Sequence, residues 1–169
     1  AYEAVRYLTD NGHRKIGFLT DNRVGVDRAR FWGFRRALRE AGIEYSDRSF
    51  FLLKPDRENI ERNTEKLCRK ARDYTALFCC SDIYAIMMMA ALKDRGFRIP
   101  EDISIIGFDD NLYSRICTPR LTTVHQDAAE KGRVAAGILF DLIRGKKPAS
   151  REIRLETRLE IRDTVKKID

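Results

Sequence analysis

The chain contains the stretch Ile103-Ser104-Ile105-Ile106-Gly107-Phe108-Asp109-Asp110, an apolar run that ends in two carboxylates. Short apolar runs rich in β-branched residues are typical of strands that are buried on both faces, as they are in a parallel sheet. Two similar runs stand upstream, at residues 15–20 and 76–80, and polar residues follow each of them at once. The pattern predicts buried parallel strands that all end at one polar rim.

Helical patterns occupy the segments between these runs. Apolar residues recur on one helical face over residues 28–41, and Gly42 is placed to end that helix. A shorter strand is predicted at residues 50–53, followed by a polar helix over residues 58–70 and, after the N-cap Ser81, by a helix that reaches Gly96. Strands and helices thus alternate along the chain, which predicts an α/β fold with a parallel sheet flanked by helices.

The last third of the chain has a different pattern. A short strand at residues 121–124 precedes a helix over residues 127–144, and a stretch of strict alternation follows. Its apolar positions are Ile153, Leu155, Leu159 and Ile161, and charged residues stand between them. A strand with one wet face belongs at a sheet edge or in a ribbon.

Composition narrows the class of protein. With 169 residues, 43% hydrophobic and 35% charged, the chain is long enough for one packed domain and has the composition of a soluble globular protein. The 33 basic residues are interleaved with 26 acidic ones, so the net charge of +7 does not predict a DNA-binding patch. No apolar run approaches the roughly 20 residues of a spanning helix, and no membrane partner is expected.

The cysteines and histidines do not predict a metal or a cofactor. No C-x-x-C spacing occurs, and His13 and His125 are far apart in the chain. The adjacent Cys79 and Cys80 lie in an apolar run and are predicted to be small buried side chains in a reducing compartment.

Polar residues at the ends of the predicted strands are the candidates for binding. Ligands of open parallel sheets bind beyond the carboxyl ends of the strands. The residues there are Thr20-Asp21-Asn22-Arg23 with Arg30 in the following helix, then Ser81-Asp82, then Asp109-Asp110. An arginine fork beside a carboxylate can hold the hydroxyls of a sugar or nucleoside. Spacing alone leaves a structural alternative open, in which Asp82 only caps a helix, Asp110 faces water and Arg30 pairs with a nearby carboxylate.

An enzymatic interpretation is weaker. Asp82, Asp109 and Asp110 could bind magnesium in a phosphatase-like site, but the sequence offers no nucleophile or positioned lysine to accompany them. Neither a Gly-rich phosphate loop nor a G-x-S-x-G elbow occurs. We therefore expect no enzyme activity.

Three consecutive methionines, Met87-Met88-Met89, lie in the helix that follows Ser81. Because successive helical residues are about 100° apart, at least one of the three must face outward. Both core packing and a subunit contact are compatible with this run.

The order and spacing of several stretches resemble the C-terminal part of the LacI/GalR family of transcription regulators. The stretches are Gly12-His13-Arg14-Lys15-Ile16-Gly17-Phe18, Arg30-Phe31-Trp32-Gly33-Phe34, Ala76-Leu77-Phe78-Cys79-Cys80-Ser81-Asp82, Arg98-Ile99-Pro100-Glu101-Asp102 with the strand up to Asp110, Thr118-Pro119-Arg120-Leu121-Thr122-Thr123-Val124-His125-Gln126, and Leu159-Glu160-Ile161-Arg162-Asp163-Thr164. The resemblance covers nearly the whole chain.

This resemblance implies a periplasmic-binding-protein-like (type I) fold of two subdomains joined by three crossovers. Residues 1–123 would form the second subdomain, residues 124–149 a crossover and a helix of the first, and residues 150–169 the strand that returns to the second together with the C-terminal tail. The helix-turn-helix headpiece and most of the first subdomain would lie outside these 169 residues. The predicted helix over residues 127–144 would then expose an apolar face, formed by Val134, Ala135, Leu139 and Leu142. We expect this face to be covered by domain swapping or by contacts in an oligomer.

The resemblance also implies a function. Arg30 and Asp109 match the family's effector-clamping arginine and aspartate, and Ser81 stands where an asparagine or serine lines the cleft. The chain would be the effector-binding and dimerisation domain of a cytoplasmic repressor that senses a small molecule, a sugar or related metabolite, and contacts operator DNA only through the missing headpiece. A homodimer would form through the helix with Met87, Met88 and Met89. Lys54-Pro55 replaces the aromatic ring that the family often places against the effector. The alternative is a free periplasmic-type solute-binding protein.

Overall fold

A computed structural model describes residues 1–53, 57–147, 150 and 152–169, without the side chains of residues 57–60 and 63. Its strands are β1 (Ile16–Thr20), β2 (Phe50–Leu52), β3 (Ala76–Cys79), β4 (Ser104–Asp109), β5 (Thr122–Gln126) and β6 (Thr157–Glu160). Its α-helices are α1 (Tyr2–Asp10), α2 (Gly25–Glu40), α3 (Arg57–Lys70), α4 (Asp82–Lys93), α5 (Leu112–Ile116) and α6 (Ala128–Ile143). The strands form one sheet in the order β2-β1-β3-β4-β5-β6.

The sheet has the predicted α/β architecture. The pairs β1–β2, β1–β3, β3–β4 and β4–β5 are parallel, and β5–β6 is antiparallel. Because the first five strands run in one direction, the residues that follow β1, β3, β4 and β5 all emerge at the same edge of the sheet. This confirms the polar rim predicted from the apolar runs.

Apolar side chains cover both faces of the sheet. Leu77 belongs to a core cluster with the buried residues of α4, whereas its neighbour Phe78 belongs to a second cluster with α1 and α2. The opposite directions of successive strand residues produce this division. Each fully buried Leu, Ile or Phe contributes about 1.5–3 kcal/mol relative to an exposed one. Cys79 and Cys80 are buried, as the sequence predicted.

Two of the three consecutive methionines in α4 are buried, and one is half-exposed. Met88 and Met89 are buried in the core, where they share one stripe of α4 with Ala85 and Leu92, and only Met87 stays half-exposed. The stripe has the i, i+3, i+4, i+7 spacing of a core-facing helix. Met88 and Met89 are thus packed inside the single chain, whereas Met87 keeps part of its side chain exposed; the dimer contact through Met87, Met88 and Met89 stays a prediction.

The alternating stretch forms a shorter strand than predicted. β6 lies at the sheet edge, which confirms its placement, and pairs from Thr123↔Glu160 to Gln126↔Thr157. Ile153 and Leu155 precede it in a segment without regular secondary structure, and Ile161 follows it, 59% exposed. The ladder stops because β5 ends at Gln126, and an unpaired strand has no hydrogen-bonding partner.

Helix α6 packs loosely against the rest of the chain. Asp127 caps it by accepting a hydrogen bond from the Glu130 N–H at 2.8 Å, yet none of its residues is buried. Leu139 and Leu142 are at least half exposed, which confirms the predicted apolar face. A groove of about 520 Å³ runs between this helix and the chain leading to β6. No helix among the described residues is both long and apolar enough to span a bilayer.

Candidate functional site

The three residues predicted to bind an effector converge on the rim of the sheet. Ser81 follows β3, Asp109 ends β4, and Arg30 reaches over the rim from α2. Arg30 Nη2 lies 4.0 Å from Asp109 Oδ1, and Arg30 Nη1 donates a hydrogen bond of 2.8 Å to the carbonyl of Cys80, the residue before Ser81. The structure thus places a guanidinium, a carboxylate and a hydroxyl around one point.

Three contacts fix the position of the Arg30 guanidinium. Its Nη1 donates to Asp27 Oδ1 at 3.0 Å as well as to Cys80, and its guanidinium carbon lies 3.9 Å from the centre of the Phe108 ring. Asp27 is itself buried and accepts a hydrogen bond from the Thr20 hydroxyl. Burial raises the pKa of Asp27, and the charge of Arg30 opposes that rise. Arg30 therefore does pair with a nearby carboxylate, as the structural alternative held. The same pairing with Asp27 also orients Nη2 towards Asp109.

Asp109 is the carboxylate that this rim presents to solvent. Its side chain is 40% exposed, and its Oδ1 accepts a hydrogen bond of 2.7 Å from Gln126 Nε2. Burial raises the pKa of Asp109, while Arg30, Gln126 and Ser81 act in the opposite direction. Its φ of 118° is unusual for a residue with a side chain and costs on the order of 1–3 kcal/mol. Such a conformation persists only where the surrounding contacts hold it.

Asp110 has the opposite environment. Its carboxylate is 1% exposed and accepts hydrogen bonds from Arg162 and Ser114 at Oδ1 and from Arg115 at Oδ2. His125 Nδ1 lies 2.8 Å from the same Oδ2. Burial alone would raise the pKa of Asp110, but the hydrogen bonds from Arg162, Arg115 and His125 hold it well below its usual range. The alternative in which Asp110 faces water does not hold, because this carboxylate is 1% exposed and joins the end of β4 to β5 and to the C-terminal segment.

Asp82 does more than cap a helix. Ser81 provides the N-cap of α4, since its hydroxyl accepts a hydrogen bond of 3.3 Å from the Ile83 N–H. The buried Asp82 carboxylate instead accepts from the Thr123 hydroxyl and, at 2.9 Å, from the Asn111 N–H. Burial raises the pKa of Asp82 to about 6. This carboxylate connects α4 to the segments after β4 and within β5.

The proposed magnesium ligands do not come together. Asp109 faces Arg30 and Gln126, Asp110 faces Arg162, and Asp82 faces Thr123. Among the described residues, the group with metal-ligand spacing is Asp110, His125 and Glu160, whose ligand atoms lie within 4.8 Å of one another. Two arginines already neutralise Asp110, so the charge at this group does not favour a cation. The structure therefore offers no support for the magnesium interpretation.

Sequence reasoning missed Gln126 and Tyr84. Gln126 ends β5, and the rule that ligands bind beyond the carboxyl ends of parallel strands could have identified it. Tyr84 reaches from α4 to donate a hydrogen bond of 3.0 Å to Asp21 Oδ2 after β1, which sequence spacing could not reveal. The departure noted at Lys54-Pro55 lies outside the described residues.

The rim can hold a polar, hydroxylated molecule. Arg30 and Gln126 supply hydrogen-bond donors, Asp109 an acceptor, and Ser81 a group that can do either. Charge-assisted hydrogen bonds of this kind are short and directional, so they suit vicinal hydroxyls.

Known proteins resemble the chain over nearly all of its length. The model of the periplasmic binding protein-like domain matches residues 5–165. The HTH-type transcriptional repressor PurR of Mannheimia succiniciproducens is 38% identical over 168 residues, which are 99% of this chain and 50% of that protein. The ribose operon repressor of Haemophilus influenzae is 34% identical over 165 residues, 97% of this chain and 50% of that protein.

A solved structure shows the same architecture. The LacI family transcriptional regulator from Enterococcus faecium, determined with bound ribose, superimposes with a TM-score of 0.85 at 28% identity, over 99% of this chain and 62% of its own. The chain spans about half the length of the curated relatives it matches. It belongs to the periplasmic binding protein-like family, as an effector-binding part of the LacI/GalR type.

Proposed function

We propose that this chain forms one wall of the effector-binding cleft of a LacI/GalR-type repressor and that the effector is a sugar or a related polar metabolite. The observation that carries the proposal is the orientation of Arg30 towards Asp109, with 4.0 Å between Nη2 and Oδ1. Each partner is anchored by other side chains, so the pair is ordered before a ligand arrives. Binding therefore costs little of the entropy that ordering would otherwise require.

The relatives favour a regulator over the other two classes. The two curated relatives are repressors, and the structural neighbour with ribose is a transcriptional regulator. Neither a free solute-binding protein nor a magnesium enzyme is supported by a comparable observation. The Arg30–Asp109 pair would act by binding rather than by catalysis.

Coupling to DNA would take place through the rest of the protein. An effector that contacts this wall and the facing subdomain would stabilise one relative orientation of the two, and that orientation would set how the DNA-binding parts meet an operator. Residues 1–123 would form the second subdomain, with residues 124–149 contributed to the first and residues 150–169 returning from it. Operator binding requires the repressor to be in the cytoplasm.

A homodimer would use the outer face of α4. Ile83, Met87 and Ala90 recur there at i, i+4 and i+7, with Ile83 and Ala90 exposed and Met87 half-exposed. A stripe of this kind can pack against its own copy about a two-fold axis. Of the three methionines predicted at the dimer interface, Met87 is the one whose side chain is half-exposed on this face.

The test combines a ligand screen with one isosteric variant. A thermal-shift screen of the full-length protein against sugars, nucleosides and purines identifies the effector, and calorimetry gives its Kd. Asp109→Asn keeps the shape of the side chain, and asparagine tolerates positive φ. We expect the Kd to rise roughly tenfold or more, since a hydrogen bond to a charged group contributes about 1.5–3 kcal/mol.

Asp10→Asn is the control, because Asp10 is an exposed carboxylate on α1 with only a 3.8 Å contact to Arg6. It should leave the Kd unchanged. An unchanged Kd for Asp109→Asn would rule out this rim as the effector site.

A further inference from the structure

A second cavity lies at the opposite edge of the sheet from β6. It follows β2, has a volume of about 430 Å³ and is bounded on its outer side by α3. β2 is the terminal strand and is separated from β4 by β1 and β3, so the cavity is about 14 Å from the strand that carries Asp109 at the usual strand spacing. Arg30, Ser81 and Asp109 are not among its lining residues. The cavity is therefore distinct from the Arg30–Asp109 site.

The cavity is strongly basic. Among the described residues, five cationic side chains line it, against one carboxylate, Asp47; they are Arg23, Arg48, Arg62, Lys66 and Lys70. Burial and the neighbouring Asp47 carboxylate raise the pKa of the Tyr45 hydroxyl to about 12, so this carboxylate also faces Tyr45. The balance of charge around the cavity is therefore positive.

Three cationic side chains of α3 stand on one face of the helix, where they repel one another. Arg62, Lys66 and Lys70 stand four residues apart, which places them on one face of the helix. Like charges at this spacing repel by a few tenths of a kcal/mol per pair. By contrast, the neighbouring Glu65 and Arg69 form an ion pair of 2.6 Å along the helix. Within the described part of the chain, Lys66 and Lys70 have no such partner. The uncompensated charges of Lys66 and Lys70 point to an anion that comes from outside.

Apolar residues also line the cavity. Residues 50–53 are among those that line it, and the guanidinium of Arg23 lies 4.5 Å from the centre of the Phe50 ring. Aromatic stacking restrains an arginine while leaving its N–H groups available. A cavity of this size falls within the range of about 300–1,000 Å³ that small-molecule sites occupy.

We propose that this cavity binds a small molecule with two phosphate groups, either a diphosphate or a bisphosphate. A single phosphate carries about 1.5–2 negative charges at neutral pH, so two of them match the charges of Arg23, Arg48, Lys66 and Lys70. Lys66 and Lys70 would contact one phosphate, and Arg23 and Arg48 the other, with the apolar residues 50–53 against the rest of the ligand. The site is independent of the effector proposed above.

Inorganic pyrophosphate is the probe. Calorimetry on the full-length protein at physiological salt should show saturable binding with one site per chain, and inorganic phosphate should bind more weakly. The variant Lys66→Gln with Lys70→Gln keeps good helix formers at both positions. It should weaken pyrophosphate binding by roughly tenfold or more, because two charge-assisted contacts are lost.

The matched control is Lys146→Gln with Lys147→Gln, which removes the same charge from two exposed lysines beyond α6. It should retain the wild-type Kd for pyrophosphate, as should Asp109→Asn. Absence of saturable binding would overturn the proposal. So would equal weakening by the two double variants, which would indicate diffuse electrostatics, or a clearly changed Kd in Asp109→Asn, since removal of a rim carboxylate alters anion binding only where the anion lies beside it.

Discussion

The carboxylate of Asp82 lies directly against the backbone of Gly107. A Cβ atom built on Gly107 would be 2.3 Å from Asp82 Oδ1 and 2.7 Å from Leu121 Cδ2. Glycine is thus the residue that lets the first turn of α4 approach β4 closely enough for Asp82 to reach Thr123 and Asn111. The same approach fixes Ser81 relative to Asp109, so this contact in the core sets the geometry of the rim.

Gly107→Ala should destabilise the chain by about 2–3 kcal/mol, because overpacking a filled core costs about 1–3 kcal/mol and a displaced buried carboxylate loses hydrogen bonds. Urea denaturation measures the free energy of unfolding. Gly137→Ala is the control: it lies within α6 with nothing within 4 Å of the added Cβ, and it should stabilise by about 0.5–1 kcal/mol. Equal effects of the two substitutions would contradict the close approach.

Asp82→Asn should change how stability depends on pH. Burial raises the pKa of Asp82 to about 6 from an ordinary 3.8, so the folded chain keeps this proton to a higher pH than the unfolded chain does. The contribution of Asp82 to stability is therefore greatest below pH 4 and is lost as pH rises to 6. Asparagine resembles the protonated acid and does not titrate.

The free energy of unfolding of Asp82→Asn, relative to wild type, should accordingly rise between pH 4 and pH 7 by on the order of 2–3 kcal/mol. Urea denaturation at the two pH values gives this difference. Asp110 titrates in the opposite sense, since its pKa is lowered, but it is present in both proteins and its effect cancels. Parallel pH profiles for the two proteins would show that Asp82 is ionised without penalty.

The rim residues Ser81 and Asp109 could be predicted from sequence because each of them directly follows a strand that the sequence identifies. Apolar runs identify parallel strands, and the residues after each run must meet at one edge, so Ser81 and Asp109 follow directly from the pattern. Arg30 followed from its position in the family motif. Asp27 stands three residues before Arg30 on α2, so their pairing is compatible with the sequence, but the contact of Arg30 with Phe108 and the 4.0 Å distance to Asp109 join separate elements and could not be read from spacing.

The environment of Asp110 could not be predicted from sequence. Its partners Arg115, His125 and Arg162 come from α5, β5 and the segment after β6, and only the folded chain brings them together. Asp109 and Asp110 are adjacent and chemically identical, yet one is exposed and the other buried. Both have positive φ, so the difference lies in their partners, since Asp109 contacts Arg30 and Gln126 at the rim whereas Asp110 is enclosed by the three residues named above.

Arg162→Ala should destabilise the chain by about 2–3 kcal/mol. The pair it forms with Asp110 is buried, with side-chain exposures of 13% and 1%, and truncation leaves a buried carboxylate short of a partner. The loss is below the largest values for buried pairs because Arg115 and His125 remain. Thermal or urea denaturation at pH 7 measures it.

Arg154→Ala provides the comparison. Arg154 forms an ion pair of 2.8 Å with Glu152, but the two side chains are 88% and 71% exposed. Exposed pairs contribute about 0–1 kcal/mol, so this substitution should change stability by less than about 0.5 kcal/mol. If Arg162→Ala proved equally mild, Asp110 would have to be solvated in the folded chain.

The exposed face of α6 should make the 169-residue chain associate with itself. Leu139, Phe140 and Ile143 are 57%, 60% and 71% exposed, and apolar surface of this kind is removed from water when two copies meet. Leu139→Lys should therefore shift the chain towards monomer in size-exclusion chromatography with light scattering. Its free energy of unfolding should stay near the wild-type value at low concentration, because little burial is lost.

Ala29→Lys adds the same charge at an exposed position of α2 and should leave association unchanged. A wild-type chain that remains monomeric at high concentration would refute the expected association. In the full-length protein, the first subdomain would cover this face if residues 124–149 belong to it as proposed. Leu139→Lys should then destabilise the full-length protein by about 1–3 kcal/mol while leaving the 169-residue chain as stable as before, since a lysine would be buried only in the longer protein.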